Sequence, residues 1–392
     1  MKTEIIIINW NNRAETLECL DAVTAQLADV EAASVTVVDN GSTDGSASAI
    51  TARHPAAKLF ALSENRGFTG GIAAALAGST AEAVVFLNND AVPEKGWLRA
   101  FVDALIAAPD DVVSIGGRIV DPTGTKIDFI GGVVTFDGHA FQTGFREPVG
   151  SRTEPAAGDE ILFACGGNMI SRREPLVRLG GFDNDYFAYL EDVDFGWRTW
   201  LSGGRVLFEP RALVRHASST TSNRLGDFER GVLFERNALQ TAIKNYESLG
   251  EAAGSLFFTY LYRLHHYVTT RNSAVHELQR PFGTPQRGAS KRLDILRRIM
   301  RRPYLAAMDD PLTAMQFRAL DWVLRNETLL AKKREAVQRL RTRSDREIFE
   351  RFPLHFVPTY PGDEQLMRSP LFRKLRTTLP SVDRTISEIM KA

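Results

Sequence analysis

The chain has 392 residues, 44% of them hydrophobic and 24% charged, which excludes a disordered polymer and leaves room for two domains with cores of their own. Its formal net charge is zero, and its two cysteines, Cys19 and Cys165, exclude a disulfide framework or a cysteine zinc cluster and suit a reducing cytoplasm. No stretch approaches the ~20 uninterrupted apolar residues of a membrane span; even Ser255 to Val268 is broken by Arg263, His265 and His266.

Ile5–Ile8 predicts a buried first strand, followed by Leu17, Leu20, Val23 and Leu27 at helical spacing. Val35–Val38 predicts a second strand running into Asp39-Asn40-Gly41-Ser42-Thr43-Asp44-Gly45, a turn and cap cluster before a helix from Ser46. Lys58–Leu62 and Ala83–Leu87 predict two more strands, and Trp97, Leu98, Phe101, Val102, Leu105 and Ile106 share one broad helical face. This alternation is that of a mostly parallel α/β sheet. Past about residue 112 it gives way to an antiparallel extension, with Asp121 to Gly150 reading as hairpins. From about 228 the chain becomes helical and basic, with Arg292–Met300 and Thr328–Arg343 as clear segments. A boundary near 225 divides the chain into a domain of residues 1–225 and a helical region of residues 226–392.

Ligands of open α/β sheets bind beyond the carboxyl ends of the strands, so the polar residues there carry weight. Asn9 to Asn12 ends the first strand, and Asp39 ends the second with a carboxylate able to accept from a base or ribose, or simply to cap the next helix. Glu64 to Gly71, Gly70 included, opens a helix and offers backbone N–H groups to an anion. Neither a dinucleotide fingerprint nor a P-loop occurs in it. Asn88-Asn89-Asp90 follows the fourth strand, where oxygen ligands suit a hard cation. Further on, Asp194 and Arg198 read as an i,i+4 ion pair. Glu191 and Asp192 remain, either as complements to the helix dipole or as a base for an acceptor hydroxyl, with the neighbouring charge keeping the pKa up. His216 taken alone reads more often as a hydrogen-bonded scaffold residue than as a ligand.

In order, Asn9-Trp10-Asn11, Val38-Asp39-Asn40-Gly41-Ser42, Asn65-Arg66-Gly67-Phe68, Asn88-Asn89-Asp90, Gly166-Gly167-Asn168, Glu191-Asp192-x-Asp194 and His216 resemble family-2 glycosyltransferases of the GT-A fold. The likeness covers roughly residues 4–220 and leans toward bacterial rhamnosyltransferase-like and galactofuranosyltransferase-like enzymes of cell-surface glycan synthesis. It implies an inverting transfer from a UDP- or dTDP-linked sugar to a hydroxyl of a glycan or lipid-linked acceptor. It also implies that Asp39 meets the nucleobase and that Asn9, Asn65, Gly70 and Asn89 belong to the nucleotide-sugar site. Asp90 matches the last residue of the family's D-x-D motif, which binds Mn2+ or Mg2+, and His216 the histidine that joins it. Asn88 stands where that motif begins. Asp192 matches the general base, with Glu191 as the alternative, and Gly167 and Asn168 the loop near donor sugar and acceptor.

The charge is unevenly spread: residues 1–270 hold 23 Lys and Arg against 34 Asp and Glu, whereas residues 271–351 hold 19 against 10. That basic block, with Arg297 to Leu305 inside it, suits either an anionic inner membrane surface or a solvated helical face. The competing functions are a sugar-1-phosphate nucleotidyltransferase and a non-catalytic nucleotide-sugar binder. Nucleic acid is not an expected partner, since the basic residues are not interleaved with a stacking aromatic platform.

Overall fold

The computed structural model describes residues 1–217, 226–270 and 310–391. Strands β1 (Thr3–Asn9), β2 (Ala33–Asp39), β3 (Lys58–Ala61) and β4 (Ala83–Asn88) pair in parallel in the order β3-β2-β1-β4. Ile5, Ile6, Ile7, Val37, Val38, Val84 and Val85 are buried because helices cover the sheet, and a strand buried on both faces reads as a continuous apolar run. The helices between them are α1 (Arg13–Thr24), α2 (Ser46–Arg53) and α3 (Gly67–Ala77). After β4 come β5 (Ala91–Pro93) and α4 (Trp97–Ala107).

The register positions the site. Asn9 pairs with Asp39, and Ile8 pairs with Asn88, so three strands present their polar carboxyl ends at one level. The chain leaves β1 toward β2 and returns on its other side as β4. This is a topological switch point, where a crevice opens.

The expected antiparallel extension is present. Beyond β4 the sheet continues through β10 (Asn168–Arg172), β6 (Val112–Val120), β11 (Arg205–His216) and β5, with β7 (Ile127–Phe129) folded back on β6. A separate hairpin joins β8 (Gly132–Val134) and β9 (Ala140–Gln142). Helices α5 (Arg173–Arg178) and α6 (Glu191–Leu201) precede β11, which runs antiparallel to β5 and sets His216 opposite Ala91.

The C-terminal region holds α7 (Asp227–Asn245), α8 (Leu249–Thr270), α9 (Pro311–Arg325), α10 (Glu327–Arg339), α11 (Asp345–Arg351), α12 (Asp363–Arg368), α13 (Pro370–Leu375) and α14 (Ile386–Lys391). It also holds a small parallel pair, β12 (Leu354–Phe356) and β13 (Ser381–Asp383), that the helical reading missed. The expected boundary near residue 225 falls outside the described residues. On either side of it, one buried apolar cluster joins strand residues such as Ile7 and Leu207 to Ala238, Tyr246, Phe349 and Leu354.

Cations of the basic block hold these parts together. Arg334 donates to the carbonyls of Ile243 and Glu247, Arg341 to that of Asn245, Arg343 to those of Gly203 and Gly204, and Lys333 pairs with Asp183. These four are engaged within the chain, a correction to their reading as part of a membrane-facing or solvated surface. Residues 271–309, including Arg292–Met300 and Arg297 to Leu305, lie outside the described residues. No helix among the described residues is long and apolar enough to cross a membrane.

Candidate active site

The strand ends are tied by one amide network. Asn9 is fully buried; its Nδ2 donates to Asp39 Oδ1 at 2.8 Å and to Ser42 Oγ at 3.1 Å, while its Oδ1 accepts from Thr16 Oγ1 and from Asn89 Nδ2. All four hydrogen-bonding positions of that amide are thus in use, so Asn9 orients Asp39 rather than lining the pocket as expected. Asp39, 3% exposed, also accepts from the Ser42 N–H. The residues facing the cavity at this end are Asn40, Asn65 and Trp10.

The start of α3 corrects a second expectation. The N–H groups of Arg66, Gly67 and Thr69 donate to Asn40 Oδ1, Asn65 Oδ1 and the Phe187 carbonyl, so these donors serve the fold rather than an anion. Gly70 lies within α3 and is not part of the cavity wall. Gly67 has the more demanding role: its φ is +73°, and a Cβ there would meet the Phe187 carbonyl oxygen at 2.3 Å.

Asp90 and His216 come together as expected. His216 Nε2 lies 3.0 Å from Asp90 Oδ1 and 3.1 Å from Asn88 Nδ2, and His216 Nδ1 lies 2.9 Å from Asp128 Oδ2. Burial pulls the imidazole pKa down, but the hydrogen bonds and charges of Asp128 and Asp90 more than reverse this, to about 10. The donor set fits a divalent ion. Ligands at roughly 2.1 Å in octahedral geometry stand about 3.0 Å apart, the spacing of Asp90 Oδ1 and His216 Nε2. Among the described residues no group of three or more acids, histidines or cysteines is arranged to hold a metal, so these two would leave most coordination positions to a diphosphate and water. Asn89 also faces the cavity, with its amide N–H tied to Asn9 and Thr16.

The carboxylate pair enters from the opposite wall. Phe187, Tyr189 and Leu190 have φ values of 65°, 72° and 63°, a left-handed conformation that is strained for large side chains and gathers at functional sites. Their loop is held from α7: Asn237, fully buried, donates to the carbonyls of Tyr186, Ala188 and Tyr189, and Arg236 to those of Asp185 and Tyr186. It delivers Glu191 and Asp192 into the cavity wall. Asp192 Oδ2 accepts from the Gly166 N–H at 3.0 Å; burial raises its pKa, and the N–H groups of Gly166 and Val193 restrain the rise. Glu191 is driven well above the ordinary carboxylate range by burial and by the Asp192 charge, and its Oε2 has no hydrogen-bond partner among the described residues. Asp194 pairs with Arg198 at 2.9 Å, as its spacing predicts, and also with Lys244.

Gly167 lines the cavity as expected, and a Cβ there would meet the Asn88 amide at 2.6 Å. Asn168 does not. It is fully buried, accepts from Trp97 Nε1 at 2.8 Å and donates to the carbonyls of Arg118 and Ala212. We expect Asn168→Ala to lower stability by about 1–3 kcal/mol, because it strands buried polar partners, while turnover by the folded fraction is retained; urea unfolding beside an activity assay checks this. Cys165 lines the cavity, and burial and the Asp192 charge raise its pKa too far for a nucleophilic thiolate.

These groups surround one cavity of about 600 Å³ whose far wall is aromatic, including Phe129, Phe141, Phe145, Phe163 and Phe234, with Met390 of α14 beside them. Among the described residues the wall contains no Lys or Arg. A switch-point crevice, an Asp–His pair and two adjacent buried carboxylates thus meet in one cavity. Residues 4–180 match the glycosyl transferase family 2 model. The chain is 28% identical over 215 residues to the N-acetylglucosaminyl-diphospho-decaprenol L-rhamnosyltransferase of Mycobacterium tuberculosis, over 49% of this chain and 68% of the relative. It is 29% identical over 294 residues to the succinoglycan biosynthesis protein ExoU of Rhizobium meliloti, over 68% and 78%. Among solved structures it is similar to a mannosyltransferase from Pyrobaculum calidifontis in complex with GDP-Man and Mn2+, with a TM-score of 0.46 and 20% identity over 83% of this chain and 87% of that one. The protein is a glycosyltransferase, and its residues 4–180 carry the likeness to family 2.

Sequence reasoning missed Asp128, Asn40, Arg236 and Asn237. An acid between Ile127 and Phe129, both buried, was a legible signal for the first. Nothing local marks Asn237, one residue of an ordinary helix.

Proposed function

We propose that the enzyme moves a sugar from a UDP- or dTDP-linked donor to a hydroxyl of a glycan or lipid-linked acceptor, with inversion, in cell-surface polysaccharide synthesis. One observation carries this reading: the Asp90–His216 pair and the high-pKa Asp192 share a cavity wall without Lys or Arg among the described residues. A diphosphate entering that cavity meets the carboxyl groups of Asp90, Glu191 and Asp192, and a divalent cation would offset their charge. Asp90 and His216 are the residues that would hold it, and a bound divalent ion offsets charge developing on the leaving diphosphate. The imidazole ligand favours Mn2+ over Mg2+.

The remaining chemistry belongs to side chains. Asn40 and Asn65 face the nucleoside end, and Asp39, held by Asn9 and Ser42 and itself outside the cavity lining, keeps lone pairs that a base could use. Gly167 permits close approach of the donor sugar. Asp192 takes the proton of the acceptor hydroxyl as its oxygen attacks the anomeric carbon, and the diphosphate leaves from the opposite face. Inversion follows from that line of attack.

A panel of nucleotide sugars and glycan or lipid-linked acceptors, with and without Mn2+, tests the proposal. Acceptor-dependent nucleoside diphosphate release, with an inverted anomeric proton by NMR, is expected; release indifferent to acceptor across the panel refutes it. The pH profile is a further check. A base must be unprotonated to act, so kcat should rise with pH through the raised pKa of Asp192, placing the acid limb above the ordinary carboxylate range.

A further inference from the structure

The geometry points to Asp128 as the positioning residue of the metal histidine: by accepting the Nδ1 hydrogen of His216, it turns the Nε2 lone pair toward a divalent cation shared with Asp90. This rests on the metal reading above. Asp128 Oδ2 lies 2.9 Å from His216 Nδ1. An ionised carboxylate only accepts, so Nδ1 carries the hydrogen, and in the neutral ring Nε2 is left with its lone pair.

Two groups face that nitrogen, Asp90 Oδ1 at 3.0 Å and Asn88 Nδ2 at 3.1 Å. In the metal-free protein a hydrogen on Nε2 bridges to Asp90, and a divalent cation would take the place of that hydrogen between the two groups. The Asn88 amide fits either way, donating to Nε2 or, with its two ends exchanged, presenting its oxygen.

The position of Asp128 supports the assignment. It lies in β7 between Ile127 and Phe129, all three buried, where β7 pairs with β6 beside a register shift between Ile119 and Val120. A carboxylate placed among apolar strand residues is costly unless its partners compensate. Its partners among the described residues include His216 and, at 3.4 Å, Gln142 Nε2. Metal-bound histidines commonly donate their second ring N–H to such a carboxylate, and removing it typically weakens metal affinity 10–100-fold.

The alternative is an ion pair that merely fastens β7 to β11. Mn2+ alone, titrated into the full chain and followed by the electron paramagnetic resonance of the free ion, separates the two. Asp128→Ala should weaken Mn2+ binding by about 10–100-fold, and 15N NMR of the metal-free protein should show the hydrogen-bonded Nδ1–H signal of His216 lost. Asp128→Asn keeps an acceptor oxygen and should lose less, and it decides the matter if the alanine variant does not fold. Should Asp90→Ala weaken binding while both Asp128 variants bind as tightly as wild type, this proposal alone is overturned. If Asp90→Ala leaves Mn2+ affinity unchanged, the metal reading falls and the role of Asp128 with it.

Discussion

Asp192→Asn is expected to lower kcat by about 10²–10⁴-fold, the usual contribution of a positioned base, while the donor KM stays near the wild-type value. The two adjacent acids are not equivalent. Asp192 is anchored by the Gly166 N–H on the loop that also carries Gly167, and that hydrogen bond favours its charged form. Glu191 has a buried oxygen without a partner among the described residues and feels the charge of Asp192. Of two coupled carboxylates, the one whose charge is better supported ionises first. Glu191 is the more strongly raised of the two, so Glu191→Gln, which keeps its shape, should change kcat far less. Steady-state kinetics on both variants, with stimulated nucleoside diphosphate release as the readout, decides this. An equal or larger loss in Glu191→Gln would reverse the assignment.

Asp90→Ala should remove at least about 10²–10³-fold of kcat, the scale seen when one electrostatic stabiliser of a leaving group is lost. The size follows from the wall. Among the described residues no Lys or Arg lines the cavity, so none of them offers a basic side chain in place of a cation that Asp90 would help to hold. The variant should keep its fold, because Asp90 sits at a strand end rather than in the apolar core, and its circular dichroism and unfolding midpoint should stay near wild type. Exhaustive chelation should reproduce the loss in the wild-type enzyme, and Mn2+ should restore it. Full turnover in chelator would falsify the metal assignment.

What could be read from the sequence was whatever local pattern determines. Ile5–Ile8, Val35–Val38 and Ala83–Leu87 gave strands because β-branched runs in a helix-covered sheet have few other conformations open to them, and strand ends located Asp39 and Asp90. Proximity across the sheet was not legible. Asn9 and Asn168 carried motif weight, yet both amides are saturated, chiefly by partners 30 to 80 residues away, and sequence spacing does not reveal whether an amide faces inward. Gly70 failed for a related reason. Its loop looked rich in free N–H groups, but Asn40, Asn65 and Phe187 had claimed those of Arg66, Gly67 and Thr69. The His216–Asp90 pairing was reached through resemblance; only the antiparallel register of β5 and β11 explains it physically.

The clamp of Asn237 and Arg236 on the loop before Glu191 has a consequence for how such enzymes can be recombined. The stretch matching the family model ends at residue 180, short of Asp192, and the anchor of its loop lies a further 45 residues or so along the chain, on α7. A chimera joined between those two points would inherit Asp192 from one parent and the grip on its loop from the other. Exchange of donor preference among relatives is therefore better attempted with a crossover before Tyr186 or after Asn245, so that the left-handed turn and the helix that restrains it travel as one heritable unit.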